Sequence, residues 1–549
     1  MRALPLMLTV LASCARAPDG SAPRVRCGRH GIACQGALRA LEDEHGAAIA
    51  FRTLALARGT LALFPIRAAQ RYTLRLEDGE RLDVDCPAKP EPIPVVDVDL
   101  AATFPFDPEI HRRHVPTVLR FDAQGRRLYV GTSEGFQALV ALPSGRVTSL
   151  PRLPFAYVRQ AEFSADGTRL YVGDQSHAAS IRAYALHDST VTPLWTFPLF
   201  APVRELPAGA VDPDYAWAHE PGAYRLLLLG EDLLVVANHS WTAGGLTFGN
   251  QARVFRLDQD GRARWSWPAD APTPLKITWG DEQDGVVGLV AHFAEHAQAE
   301  TPLPERWRPG TLFVLDAANG AQLASTTLAP LSPPFAHVEC WRGTAVGNDG
   351  HTIAAALDDG RVLAFDLARA RLSAPRTLDL TTPLAVGGTP VLATAGTVAR
   401  AGRSLLIATG STYTPWILRA EDVRPPQPHP NGRTLFSFDF ALQLQWLMPL
   451  ENEVEGLAVS QGLEPTIAVS LARVADPEPG EVNGVSVFDT AQAGGGIDKL
   501  RYTFTFAGNA PYDALAISKD GELIAAVEMP YQPRQGGASI GSARLHVFH

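Results

Sequence analysis

The chain has 549 residues, 46% hydrophobic and 19% charged, which is apolar enough to bury a core and rules out a globally disordered polypeptide. Its 47 Gly and 44 Pro imply frequent turns and few long helices. With 48 basic and 58 acidic residues the formal charge is −10, which argues against nucleic acid as a main partner, because phosphate binding needs a net basic face. Nearly every basic residue is Arg, with Lys only at Lys89, Lys276, Lys499 and Lys519. Together with the abundance of Ala this reads as codon bias from a GC-rich genome and carries no functional weight.

Residues 1–17, MRALPLMLTVLASCARA, open with Arg2 and an apolar run from Ala3 to Leu11. That is a secretory signal, too short to span a bilayer as a stable helix. Leu11-Ala12-Ser13-Cys14 resembles the bacterial lipobox. The resemblance implies that Cys14 is lipidated and that residues 18–24 form a tether. Ordinary cleavage after Ala15-Arg16-Ala17 is the rival, but it would leave Pro18 directly after the cut. Ala15 stands where many envelope lipoproteins carry the Asp that retains them in the inner membrane, so outer membrane or cell surface is favoured. No later stretch approaches 18 uninterrupted apolar residues.

Residues 25–92 carry short apolar runs with turn signals at Glu44-His45-Gly46, Arg58-Gly59 and Glu77-Asp78-Gly79, and they alternate clearly over Tyr72–Leu76. This predicts a small β-sandwich similar to prealbumin-like or Ig-like modules. Cys27, Cys34, Cys86 and Cys340 allow three connectivities in an exported chain. One bridge is expected among the first three, and Cys340 is either bridged or a buried thiol. Pro87, Pro90, Pro92 and Pro94 read as a stiff linker.

Residues 93–549 repeat. Hairpins joined by tight turns appear as VLRFDAQGRRLYVGT (118–132), AEFSADGTRLYVGD (161–174) and LAISKDGELIAAV (515–527), with Gly supplying the positive φ that such turns demand. A second signature is an apolar strand ending in Leu or Phe, usually before Asp. It ends at Leu142, Leu186, Leu257, Leu315, Phe365, Phe438, Phe488 and Phe548, at intervals of 44 (142 to 186) to 73 (365 to 438) residues. A two-hairpin unit at this period predicts an all-β, eight-bladed β-propeller. The last unit lacks a fourth strand. Val95–Leu100 is expected to supply it and to close the ring.

The Asp-Gly-x-x-Leu-Tyr-Val-Gly pattern resembles YVTN-type propellers. VFRLDQDGRARWSW (254–267) looks like the quinoprotein-like repeats of PQQ dehydrogenases. The Trp-Asp and Gly-His marks of WD40 repeats are missing. These resemblances imply a fold and say little of activity. The adjacent Cys pair of the PQQ enzymes is absent, which leaves that cofactor without support.

If each unit runs a–b–c–d from the channel outward, the tight a–b and c–d turns share one face. The long insertions then fall on the other: 239–251, 292–309, 411–432, 472–484 and 529–542 between b and c, and 200–222 between d and a. That loop face carries Trp217, His219, His239, Trp241, Tyr413 and Trp416. Residues just before innermost strands should ring the channel mouth: His114, Arg159, His337, Glu455 and Tyr512. Arg and aromatics are frequent at binding hot spots, although such residues commonly just pack their own loops.

Catalytic and metal motifs are weak. His292-Phe293-Ala294-Glu295-His296 has the His-x-x-Glu-His order of zinc peptidases but lacks a third ligand, so His292 and His296 are weak metal candidates. Gly537-Ala538-Ser539-Ile540-Gly541 matches a nucleophile elbow in sequence but lies in a loop between strands. Asp281, Glu282 and Asp284 lack EF-hand spacing. No cofactor is expected, with calcium or a quinone left open. The sequence points to an envelope-anchored scaffold that binds a protein or envelope polymer through the loop face. A lactonase-like hydrolase or quinoprotein-like oxidoreductase, with its site at the channel mouth, is the alternative.

Overall fold

The computed structural model describes residues 25–27, 31–34, 37–49, 52–56, 59–63, 71–85, 92, 94–104, 115–153, 156–187, 190–200, 221–243, 247–277, 279–292, 310–330, 343–357, 359–382, 384–386, 389–391, 393, 396–410, 429–472, 482–511, 513–531, 533 and 537–549. In the leading region, Val25–Cys27, Gly31–Cys34, Arg52–Leu56 and Gly59–Leu63 form one four-stranded sheet. Leu38–Glu42, Arg71–Leu76 and Arg81–Asp85 form a second, three-stranded one. Ile32, Cys34, Leu41, Tyr72 and Leu74 are buried in one cluster there, the inward half of the alternation read from the sequence.

From residue 116 a four-stranded antiparallel unit recurs along the chain, the second and third units being joined by the single pair Gln175↔Gly222 and the fifth carrying an extra two-residue strand, Arg371–Leu372. Sheet 1 is Pro116–Phe121, Arg127–Thr132, Gln137–Ala141 and Arg146–Ser149. Sheet 2 is Tyr157–Phe163, Arg169–Gln175, Ser180–His187 and Thr190–Pro198. Sheet 3 is Gly222–Leu229, Asp232–Ala243, Thr247–Leu257 and Ala263–Trp267. Sheet 4 is Gly280–Gln283, Val286–Ala291, Thr311–Asp316 and Gln322–Thr327. Sheet 5 is Thr344–Val346, Thr352–Ala356, Arg361–Ala368 and Arg376–Asp379. Sheet 6 is Thr397–Ala401, Ser404–Ala408, Thr434–Asp439 and Leu444–Pro449. Sheet 7 is Glu453–Val459, Thr466–Ala472, Gly484–Asp489 and Leu500–Thr505. Sheet 8 is Leu515–Ile517, Ile524–Glu528, Arg544–Phe548 and, out of sequence order, Pro94–Asp99.

The first strands of successive sheets touch one another, and the first strand of sheet 8 touches that of sheet 1. Sheets set radially around a ring of inner strands are a β-propeller. The second strand of each sheet is covered on both faces by its neighbours, which is why VVGLVA, TIAAA and SLLIA run apolar without alternation. Outermost strands keep the alternation, as in Gln322–Thr327 with one buried position.

Closure uses the strand expected from the sequence. Val98 pairs with Leu545 and Val96 with Val547. Both valines are buried with Leu119, Val130 and Val140 of sheet 1. Asp99 then caps a single helical turn, accepting hydrogen bonds from the Ala101 and Ala102 amides at 2.9 and 3.1 Å.

Neighbouring sheets are also stitched by polar side chains. Trp195 Nε1 donates to the Gln259 carbonyl at 2.7 Å, and Trp265 Nε1 to that of Ala317 at 3.1 Å. Each indole lies over a turn glycine of the next sheet: a Cβ on Gly261 would meet Trp195 at 2.5 Å, and one on Gly320 would meet Trp265 at 2.6 Å. The Gly-to-Trp pattern of 254–267 thus has a packing cause. One expectation is corrected. The stretch 239–251 reads as a loop insertion, yet the second and third strands of sheet 3 stay in register from Leu233↔Leu257 to Ala243↔Thr247, forming a long hairpin.

Candidate functional site: the central channel

The inner strands enclose a cavity of about 250 Å³ lined by every sheet of the ring. Its charged lining is Arg120, Arg159, Arg225, Arg400, Asp281 and Asp513. Aliphatic groups such as Val398, Leu457 and Leu515 lie between them.

Several inner strands carry a β-bulge near their start. The register shifts past Thr117 in sheet 1, Arg159 in sheet 2, Tyr224 in sheet 3 and Glu455 in sheet 7. A bulge leaves one residue outside the ladder and re-aims its side chain. Three of the four bulged residues reach the next sheet. Thr117 Oγ1 donates to the Val158 carbonyl at 2.6 Å. The Arg159 guanidinium lies 4.3 Å from the Tyr224 ring centroid. The Glu455 carbonyl accepts from the Asp513 amide at 3.0 Å. Next to Tyr224, Arg225 stacks over the Trp279 ring at 3.9 Å. These contacts form a girdle around the end of the channel where the inner strands begin.

At the other end the arginines are tied to acids and carbonyls. Arg120 forms a two-pronged pair with Glu162 of sheet 2. Arg400 of sheet 6 reaches Asn348 Oδ1 at 3.1 Å, the Glu282 carbonyl at 3.4 Å and Asp281 Oδ2 at 3.6 Å. Asp281 Oδ2 also accepts the Val346 amide at 2.8 Å. Glu282 Oε1 accepts the Gly285 amide at 2.9 Å, and Asp284 Oδ1 accepts Gln283 Nε2 at 3.0 Å. The three acids weighed for calcium therefore face protein donors rather than one common point. Among the described residues no group of three or more His, Cys, Asp or Glu could hold a metal ion.

Burial shifts several titrations around the channel. Burial pushes the Lys276 ammonium below its usual range; the nearby Tyr224 phenol partly offsets this, and the charge of Arg159 adds a smaller push downward. Burial raises the Tyr157 phenol, which Arg159 partly offsets. Burial also raises the Glu282 carboxyl, partly offset by the Gly285 amide.

Of the residues named from sequence for the channel mouth, Arg159 and Glu455 sit on the girdle. His114, His337 and Tyr512 lie outside the described residues. On the loop face, His239 is buried, with its ring 6.2 Å from that of Phe200 and its Nδ1 3.0 Å from Gln251 Nε2. It packs between its own hairpin and Phe200. Trp241 pairs with Gly249 in that hairpin, and its side chain lies outside the described set. Trp217, His219, Tyr413, Trp416, His296 and Cys14 also lie outside the described residues, as do Cys86 and Cys340. His292 is buried and bridges Lys276 through its backbone at 2.7 and 2.9 Å. Ser539 Oγ donates to the Tyr531 carbonyl at 3.3 Å within a hairpin closed by Tyr531↔Ile540, not on a strand-to-helix elbow. Sequence reading missed Arg225, Trp279, Arg120 and Arg400. Arg225 follows the bulged Tyr224 of sheet 3, whereas Arg159 is itself the bulged residue of sheet 2, so repeat alignment does not bring the two arginines to one position.

Neither a protein-family model nor a curated protein matches the chain. Solved structures do match along most of it. The C-terminal WD40 domain of Sif2 is 11% identical with a TM-score of 0.45, covering 84% of this chain and 98% of its own. Saccharomyces cerevisiae Sqt1 is 10% identical with a TM-score of 0.48, covering 84% and 99%. The β-propeller domain of Myceliophteria thermophila Cps50 (Swd1) is 10% identical with a TM-score of 0.39, covering 83% and 99%. At such identities the likeness concerns fold alone.

Proposed function

We propose that this chain is an envelope-anchored lipoprotein whose eight-bladed propeller binds a protein or envelope polymer through its loop-bearing face. In this reading Cys14 carries the lipid, residues 18–24 are the tether, and residues 25–92 form a small sandwich that acts as spacer or second binding module. The observation that carries the binding role is the asymmetry of the two faces. The a–b and c–d hairpins close in tight turns, with positive φ at Gly125, Gly167, Gly350 and Gly521 and at Gly145, Gly261 and Gly320. The strand ends joined by 199–221, 292–310, 409–433 and 473–483 lie on the opposite side, together with the hairpin of sheet 3. Long connections held on a rigid ring are where binding residues concentrate. A face built to bind should tolerate changes in its tight turns and lose its partner when the connections change. Replacing 411–428 by a short Gly-Ser link should abolish co-purification of the partner from detergent-solubilised envelopes and leave the fold intact. Loss of the partner on replacing the 519–522 turn instead would refute the assignment of the face.

A further inference from the structure

We propose that Lys276 is a carbon dioxide site, its side-chain amine taking up CO2 as a carbamate beside the channel. This role is separate from the binding role of the loop face.

Lys276 lies on the connection into sheet 4, where its backbone pairs with His292 as in a short strand. Its neighbours Leu275 and Ile277 pack into the core between sheets 3 and 4. Side chains alternate along an extended segment, so Lys276 turns away from that core. It stands instead in the field of the Tyr224 phenol and the Arg159 guanidinium. Arg159 and the nearby Trp279 line the central cavity. Lys276 is only 9% exposed. Among the described residues none gives its side chain an ion pair or a hydrogen bond. The two acids of the cavity lining act elsewhere: Asp281 faces Arg400 and the Val346 amide, and Asp513 acts on Tyr157. An isolated ammonium out of water is costly, so such a group gives up its proton more readily. Burial accordingly holds the Lys276 ionisation below its usual range, with Tyr224 partly offsetting this and Arg159 adding a smaller push downward.

The other described lysines differ. Lys519 is exposed, and the Lys499 ammonium donates to the Thr490 and Gln492 carbonyls, which favour its charged form. A desolvated lysine amine is a nucleophile. Its Nζ lone pair attacks the carbon of CO2, one C=O electron pair moves onto oxygen, and Nζ releases one proton to water. Amine plus CO2 thus gives carbamate plus a proton, with no oxidant or further reactant. The product replaces a cation near Arg159 with an anion, an arrangement that the guanidinium charge favours. CO2 is small and uncharged, so it crosses the cavity to a group that is closed to hydrated ions.

Incubation of the purified chain in isotopically labelled bicarbonate at neutral pH tests this, with carbamates trapped by a trialkyloxonium salt and located by peptide mass spectrometry. An ordinary lysine is uncharged in roughly one molecule in 2,500 at pH 7. The labelled adduct should therefore reach a level on Lys276 about tenfold or more above that on Lys519, with Lys499 no higher than Lys519. Lys276→Met should remove a carbamate signal from the carbon NMR spectrum of the labelled protein. If that variant unfolds, the comparison between lysines within the unaltered chain still decides. No adduct on Lys276, equal labelling of Lys276 and Lys519, a stronger adduct on Lys499, or an unchanged spectrum in folded Lys276→Met would each overturn the proposal.

Discussion

The closing strand offers the sharpest test of how the ring holds together. Val98 and Asp97 are sequence neighbours on Pro94–Asp99 and point to opposite faces. Val98 is 7% exposed in a cluster with Leu119, Val130, Val140, Leu545 and Val547. Asp97 pairs with Arg544 at 3.1 Å, and both side chains are 45% exposed. Val98→Asp forfeits the burial of a Val side chain, about 1.5–3 kcal/mol. Setting a polar group there without a partner adds about 1–3 kcal/mol. The expected loss is therefore roughly 4 kcal/mol, a large share of a typical stability of about 5–15 kcal/mol. Asp97→Asn removes the exposed Arg544 pair and a long 3.8 Å contact to His546, together worth about 1 kcal/mol or less. Urea unfolding followed by Trp fluorescence reads both as midpoint shifts at unchanged slope. Equal losses, or a loss below about 1 kcal/mol for Val98→Asp, would mean that this strand does not close the ring as argued.

The indole over Gly320 separates packing from backbone strain: Gly320→Ala should cost clearly more than Gly230→Ala, since both have positive φ but nothing lies within 4 Å of a Cβ on Gly230. Similar losses in thermal unfolding would discount the Trp265 contact. His429 accepts the Asn431 amide at Nδ1, and its Nε2 is 3.1 Å from the Thr382 carbonyl. Burial holds its pKa below the usual value of 6.5, the Thr382 carbonyl partly offsetting this. The unfolded chain then takes up a proton that the folded chain refuses, so stability is lost as pH falls through 6.5 toward the depressed value. His429→Gln should flatten that part of the stability-against-pH curve, and an unchanged curve would contradict the assignment. Cys14→Ala should move the protein from the membrane fraction to the soluble one; a variant that still sediments with membranes would refute lipid anchoring at that residue.

The legible parts of the fold are those where local chemistry and tertiary role coincide. Asp166-Gly167 and Asp520-Gly521 announce tight turns because only Gly takes the required φ there without strain. The doubly covered second strands announce themselves as unbroken apolar runs, and Val95–Leu100 as an unpaired strand in need of an edge. The girdle is far less legible. A bulge is one extra residue in the strand ladder, so Thr117, Tyr224 and Glu455 carry no local mark of it. Arg225 reads as an interruption in an apolar strand until the ring places it beside Arg159. The 239–251 hairpin misled because its Gly, Asn and His residues have loop propensities, which cross-strand pairing with the opposite segment overrides.

The claim that the loop face is the binding face is tested most directly by site-specific photo-crosslinking in intact envelopes. A photoreactive residue at Trp217, Tyr413 or Trp416 should yield a discrete crosslinked species. The same residue at Asp166, Asp349 or Asp520, on the tight-turn face, should yield none. Crosslinks confined to the tight-turn positions, or none from the loop positions while the protein is folded and anchored, would contradict the account.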